Sequence, residues 1–131
     1  MRDAGPGARS DIRDEDLPVV LESFYDALED DPLLAHYFAD LDMVEHIPRI
    51  AAFWSTILFG TRRYSDNAFA PHQRLEGLEA RHFARWVETL EAIVDARFSG
   101  PKADEMKSTA HRIAYSMQLR MGIAPFAPYG R

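Results

Sequence analysis

The stretch from Glu79 to Phe98, EARHFARWVETLEAIVDARF, decides the fold class. Its apolar residues recur at intervals of three and four, which is the spacing of one face of an α-helix. A helix with so wide an apolar face must bury it against other elements, so the stretch predicts a core helix. The stripe consists of Phe83, Trp86, Val87, Leu90, Ile93, Val94 and Phe98.

Three other stretches show the same period. The first helix is predicted from about Asp14 to the Asp30-Asp31-Pro32 step, because proline disfavours the helical conformation in the residue before it. The second covers roughly 43–59 and closes at Gly60, and the last covers about 101–121 with Pro101 at the favoured first position. The apolar segment 33–38 predicts one or two turns. No segment alternates at period two, so the domain is predicted to be all-α.

Pro48 lies inside the second stretch and leaves two alternatives open. A proline is harmless only in the first turn of a helix, so the regular helix either starts near Glu45 or kinks at Pro48. In the second case a loosened first turn would let His46 swing.

Length and composition exclude several classes of function. The chain has 131 residues, enough for one domain, predicted as a flexible leader over 1–12, a folded domain over 13–122 and an irregular tail over 123–131. Fifteen Lys and Arg against 21 Asp and Glu give a net charge of −6, which disfavours nucleic acid. The absence of cysteine excludes disulfides, thiolate nucleophiles and thiolate-held metals. No stretch suits a membrane span or a secretory signal, so the expected location is the cytoplasm.

One histidine stands apart by its setting. His72 follows the long segment 60–71, and its ring nitrogen could bind a metal. No HExxH motif is present, so a single imidazole suffices only if a cofactor supplies the other metal ligands. Tyr25, His46 and Trp86 add polar groups to apolar helix faces and need partners if they are buried. The alternative is that the aromatic stripes are simply core.

Taken in order, these residues resemble the truncated haemoglobins, most closely their group III, over roughly residues 12–122. The resemblance implies a two-over-two helical sandwich that binds haem b without a covalent link. The residues that carry it are Phe24-Tyr25, Phe38, Glu45-His46, Ile50, Phe53-Trp54, His72 and Trp86.

The resemblance also implies a role for each residue. His72 matches the histidine that binds the haem iron, and Phe38 matches the phenylalanine that stacks on the porphyrin. Tyr25, His46 and Trp86 match the polar residues around the bound ligand, where the catalytic chemistry would occur. Ile50 and Phe53 match apolar wall positions, and Phe24 is a further cofactor-binding candidate. Arg49, Arg63 and Tyr64 are candidate propionate contacts because they are near in sequence, although the last two fit a solvated surface equally well.

The expected function is therefore binding of dioxygen and other diatomic ligands at ferrous iron. Hydrogen bonds to the ligand would slow its release, which favours redox chemistry of nitric oxide or peroxide over oxygen transport. Such chemistry needs an unidentified electron donor. Nitric oxide dioxygenation ranks above peroxidase-like activity. Peroxidase chemistry is favoured when a neighbouring carboxylate makes the iron-bound imidazole a stronger electron donor, and no acidic residue lies beside His72 in the sequence. The alternatives are an oxygen carrier or delivery protein and, from another class, a haem-free helical interaction domain.

Overall fold

The computed structural model describes residues 9–64 and 75–123, in which four helices follow one another as the periodicity predicts. They are α1 (Leu17–Glu29), α2 (Met43–Phe59), α3 (Ala80–Arg97) and α4 (Pro101–Arg120). Short 3₁₀ turns at Asp14–Asp16 and Ala35–Tyr37 precede α1 and α2 respectively. The described ranges contain no β-strand, only an isolated bridge between Ser10 and Phe98. None of their helices has the length and apolarity needed to cross a membrane.

The four helices pack as two pairs. α1 contacts both α2 and α3, while α4 contacts both α3 and α2, so each helix lies against two others. The all-α prediction and the two-over-two arrangement are confirmed. The apolar stripes meet in one main core, whose most deeply buried side chains include Leu17, Leu21, Leu28, Leu90, Val94 and Met106.

Asp31 fixes the turn after α1. One carboxylate oxygen accepts a hydrogen bond from the Leu33 backbone N–H at 3.0 Å, a local turn that competes with helix continuation. The other oxygen lies 2.6 Å from an Arg85 guanidinium nitrogen on α3. The end of α1 is therefore tied to α3 as well as to the following turn.

The first alternative for Pro48, a regular helix that starts near Glu45, is wrong. α2 begins at Met43, two residues before Glu45, and Pro48 lies within it. The reason is the cap, because the Asp42 carboxylate accepts a hydrogen bond from the Val44 N–H at 3.0 Å and starts the helix early. Pro48 cannot donate to the Val44 carbonyl, but Val44 is 87% exposed and water can replace that bond.

Residues 9–12 also differ from the prediction, which assigned them to a flexible leader. Ile12 is 2% exposed and belongs to the core. The Asp11 carboxylate accepts hydrogen bonds from the backbone N–H groups of Lys102 at 2.9 Å and Ala103 at 2.8 Å, so it caps α4 from the other end of the chain. A Cβ on Gly100 would lie 2.6 Å from Asp11 Cγ, so this close approach requires glycine. Residues 1–8 lie outside the described part.

This cap predicts acid sensitivity. Partial burial alone raises the pKa of Asp11, but hydrogen bonds from Lys102, Ala103 and Ile12 outweigh it and lower the pKa below its ordinary value. A lowered pKa adds stability above the unfolded value, near 4, that is lost as pH falls through the folded value. We expect Asp11→Asn to lower the free energy of unfolding by about 1 kcal/mol at neutral pH, and by progressively less below about pH 4.

Urea denaturation of both proteins across this pH range measures the difference. The control is Glu22→Gln, which neutralises an exposed carboxylate on α1. A destabilisation by Asp11→Asn that stays constant into acid would contradict the cap.

Candidate functional site

A large cavity lies where α1, the Ala35–Tyr37 turn and α2 face α3, α4 and the segment 75–78. Its volume is about 240 Å³, and none of the described residues that line it is Asp, Glu, Lys or Arg. Protein interiors contain few voids larger than a water molecule. A partly open apolar cavity with a few polar groups in its lining is the usual form of a ligand-binding site. The cavity is therefore the candidate functional site.

Seven of the predicted site residues line this cavity. α1 contributes Phe24 and Tyr25 because they are adjacent on its buried face, and Phe38 follows the 3₁₀ turn. The remaining four come from the helices on either side, namely His46, Ile50 and Phe53 from α2 and Trp86 from α3.

Tyr25 and His46 form the polar pair of the cavity. Tyr25 Oη and His46 Nε2 lie 3.1 Å apart, and the two rings meet edge to face with centroids 5.0 Å apart. Tyr25 is 6% exposed, and this burial raises the pKa of its phenol, because removal from water penalises the phenolate. The hydroxyl therefore keeps its proton. It donates either to His46 or, when His46 Nε2–H donates to the phenol oxygen, towards the cavity.

The aromatic rings form a continuous wall. Phe24 contacts Trp86 edge-on with centroids 5.8 Å apart, which joins α1 to α3. Tyr25 contacts Phe38 edge-on with centroids 5.7 Å apart, which joins α1 to the turn before α2. Such a wall suits a flat, apolar, aromatic ligand that also accepts a few hydrogen bonds.

The three predicted propionate contacts do not line the cavity. Arg49 is exposed on α2, and an Arg63 guanidinium nitrogen lies 3.6 Å from an Asp14 carboxylate oxygen. Tyr64 packs edge-on against Phe53, so it lies one ring away from the wall. Closeness in sequence does not fix where a long side chain points, and the propionate roles stay predictions.

His72 lies outside the described residues. Leu75 and Leu78, which follow it in the sequence, are both part of the lining. Within the described ranges, no group of three or more His, Asp or Glu side chains is arranged to hold a metal ion.

Sequence reasoning missed two polar residues of the lining, Tyr37 and His82. His82 is 5% exposed, and its Nδ1 accepts a hydrogen bond from the Glu79 backbone N–H at 2.9 Å. The signal was the spacing, because a side chain three residues into a helix can bond back to the capping residue. Tyr37 carried no such signal, since its partner, the Glu76 carbonyl, is 39 residues away in sequence.

Comparison with known proteins identifies the architecture. No protein-family model matches the sequence, and no curated protein is significantly similar to it. Among solved structures, the chain matches the crystal structure of the group III truncated hemoglobin from Campylobacter jejuni with a TM-score of 0.76. The match covers 84% of this chain and 91% of that chain, at 22% sequence identity.

The class of the molecule is thus a two-over-two helical sandwich. More narrowly, the chain has the truncated-globin fold, and the resemblance predicted from the sequence is confirmed at the level of the fold.

The burial of Tyr25 gives a direct test. Ordinary phenols ionise near pH 10, so at about pH 11 a raised pKa keeps Tyr25 neutral while the protein stays folded. Adding urea at that pH should produce a further rise in tyrosinate absorbance as Tyr25 ionises. We expect this rise to be smaller in Tyr25→Phe, with circular dichroism verifying the folded state before urea is added. Equal rises in the two proteins would mean that the phenol is already ionised.

Proposed function

We propose that the cavity holds one haem b, bound without a covalent link, and that the protein binds dioxygen and other diatomic ligands there. The observation that carries the proposal is an aromatic cavity in a truncated-globin fold, with Tyr25, His46 and Trp86 in its lining and no Asp, Glu, Lys or Arg among the described lining residues. When bound, haem iron supplies a site for a diatomic ligand and an exchangeable electron. A haem-free interaction domain has no use for such a cavity, and its aromatic residues would fill the space.

His72 is the proposed protein ligand of the iron. The proposal is supported by Leu75 and Leu78, three and six residues after His72, which line the cavity. The competing imidazole in the lining, His82, has Nδ1 committed to the Glu79 N–H. Coordination through His82 Nε2 would move the ring proton to Nδ1 and break that hydrogen bond. His82 is therefore the poorer candidate.

Tyr25, His46 and Trp86 are the proposed hydrogen-bond donors to the bound ligand. Burial keeps the Tyr25 phenol protonated, so it remains a donor. His46 orients that phenol through the bond between Nε2 and Oη, and Trp86 supplies an indole N–H from α3 on the other side of Phe24. Donors fixed in apolar surroundings stabilise negative charge that develops on a ligand oxygen.

These donors favour redox chemistry over oxygen transport. A ligand held by hydrogen bonds leaves slowly, which is unsuited to a carrier but gives a second reactant time to arrive. We propose nitric oxide dioxygenation, in which nitric oxide, dioxygen and one electron combine to give one nitrate ion. The electron is restored by a donor that the sequence does not identify. Peroxidase-like reduction ranks second, with His46 as the group that would transfer the proton.

Substitution of the two candidate imidazoles tests the ligand assignment. We expect His72→Ala to lose haem during purification or to retain it only with added imidazole, because the substitution removes the iron's protein ligand. His82→Ala should keep the haem spectrum of the wild type while losing the cap at Glu79. Haem content is measured per chain from the visible absorption spectrum. Haem retained by His72→Ala and lost by His82→Ala would reverse the assignment.

Replacement of Trp86 tests the donors. Trp86→Phe keeps an aromatic ring and deletes the N–H, so oxygen dissociation from the ferrous protein should accelerate about 5- to 10-fold, the effect of one such hydrogen bond. Carbon monoxide, a weaker acceptor, should change less. The matched control is Trp54→Phe, which removes the other indole of the lining, on α2. Stopped-flow kinetics give the rates.

The wild-type protein with dioxygen bound, when mixed with nitric oxide, should rapidly yield nitrate and ferric haem. Fast oxygen release that Trp86→Phe does not alter, together with no reaction with nitric oxide, would favour an oxygen carrier.

A further inference from the structure

The segment from Leu75 to Glu79 forms part of the cavity wall without belonging to a helix. Leu75 and Leu78 line the cavity, whereas Glu76, Gly77 and Glu79 are exposed. A short irregular segment with few apolar contacts opens at low cost unless other parts of the fold hold it. The contacts that hold this segment therefore decide how well the cavity is closed on this side.

Tyr37 makes the first of these contacts. Its hydroxyl donates a hydrogen bond to the Glu76 carbonyl at 2.7 Å, across 39 residues of sequence. The hydroxyl oxygen also lies 3.6 Å from the position that a Cβ would take on Gly77, whose φ of +77° suits glycine. The phenol thus lies directly against the backbone of the segment.

His82 makes the second contact, at the other end of the segment. Its Nδ1 accepts the Glu79 N–H at 2.9 Å, which fixes the point where the segment enters α3. The Tyr37 and His82 rings meet edge to face with centroids 5.6 Å apart. Tyr37 therefore bonds to the segment directly and also packs on the residue that caps its end.

We propose that Tyr37 is a positioning residue that clamps the segment 75–79 to the 3₁₀ turn bearing Phe38. The clamp joins two walls of the cavity, one carrying the predicted porphyrin-stacking residue and the other following His72. Its effect on the protein alone is independent of the ligand, whereas its effect on haem retention rests on the proposed function.

The clamp is tested by local proteolysis of the full chain. A glutamate-specific protease cuts the Glu76–Gly77 bond only when the segment opens, and it cuts after Glu105 in α4 only when that helix unfolds. Tyr37→Phe removes the hydroxyl and keeps the ring. We expect the Glu76–Gly77 cut to become roughly 3- to 10-fold faster, the effect of one lost hydrogen bond. The Glu105 cut should keep its rate.

The control variant is Tyr115→Phe, which removes a phenol hydroxyl from α4 at a position that does not line the cavity. It should leave both cuts unchanged. Faster cutting at Glu76 and Glu105 alike in Tyr37→Phe would mean that Tyr37 supports global stability only, and an unchanged rate at Glu76 would mean that it holds nothing. Either result overturns the proposal.

A second variant, His82→Phe, tests the shared action of the two contacts. It removes the acceptor at Glu79 and keeps a ring against Tyr37. If the contact between the two rings couples the residues, the double variant Tyr37→Phe/His82→Phe should accelerate the Glu76 cut by less than the product of the single effects. Multiplicative effects would show that the two contacts act independently and would overturn this coupling.

Haem supplies a separate readout. In the haem-loaded protein, Tyr37→Phe should transfer haem to a scavenging apoglobin several-fold faster than the wild type and Tyr115→Phe do. If neither the wild type nor any variant binds haem, the proposed function fails. The proteolysis experiment still shows whether Tyr37 holds the segment. If haem binds but its loss rate is equal in all three proteins, the clamp does not act on the cofactor.

Discussion

The contact on which both the core and the cavity depend is the aromatic pair Phe24-Tyr25 on the buried face of α1. The two rings are neighbours in sequence, with centroids 5.3 Å apart, and they diverge towards different partners. Phe24 packs on Trp86 of α3, while Tyr25 contacts His46 of α2 and Phe38 of the preceding turn. One helix therefore sets the positions of both facing elements, and the space between them becomes the cavity.

Placing polar groups in such a wall costs free energy unless each is hydrogen-bonded. Tyr25 and His46 solve this problem together, because each is the partner of the other at 3.1 Å. His82 is satisfied by the Glu79 N–H, and Tyr37 by the Glu76 carbonyl. The cavity can thus hold hydrogen-bonding groups in apolar surroundings without losing the stability that the core provides.

Local patterns predicted most of the fold. The period of apolar residues predicted the last two helices to within one residue, because a wide stripe such as that of α3 has only one way to be buried. Pro48 could not fix the start of α2, because the helix is started at Met43 by the Asp42 side chain, whose capping bond the apolar periodicity does not reveal. The role of Asp11 could not be predicted, because its partners Lys102 and Ala103 are about ninety residues away and no local pattern announces such a contact.

The same difference between local patterns and long-range contacts applies to the site residues. The resemblance predicted Tyr25, His46 and Trp86 for the site, and all three line the cavity because they lie on helix faces that are turned towards the interior. Arg63 was not brought to the wall, because its guanidinium lies against the Asp14 carboxylate, and Arg49 is exposed on α2. Tyr37 and His82 were missed because their contacts depend on how the segment 75–79 crosses the fold.

The central claim, that this cavity is a haem site, is tested most directly by titrating haem b into the protein. Both tryptophans of the chain, Trp54 and Trp86, line the cavity, so their fluorescence reports occupancy while the visible spectrum reports the haem. We expect saturation at one haem per chain, with quenching of tryptophan fluorescence and a haem absorption band distinct from that of free haem. Binding that never saturates, with the spectrum of free haem and unquenched tryptophans, would contradict it.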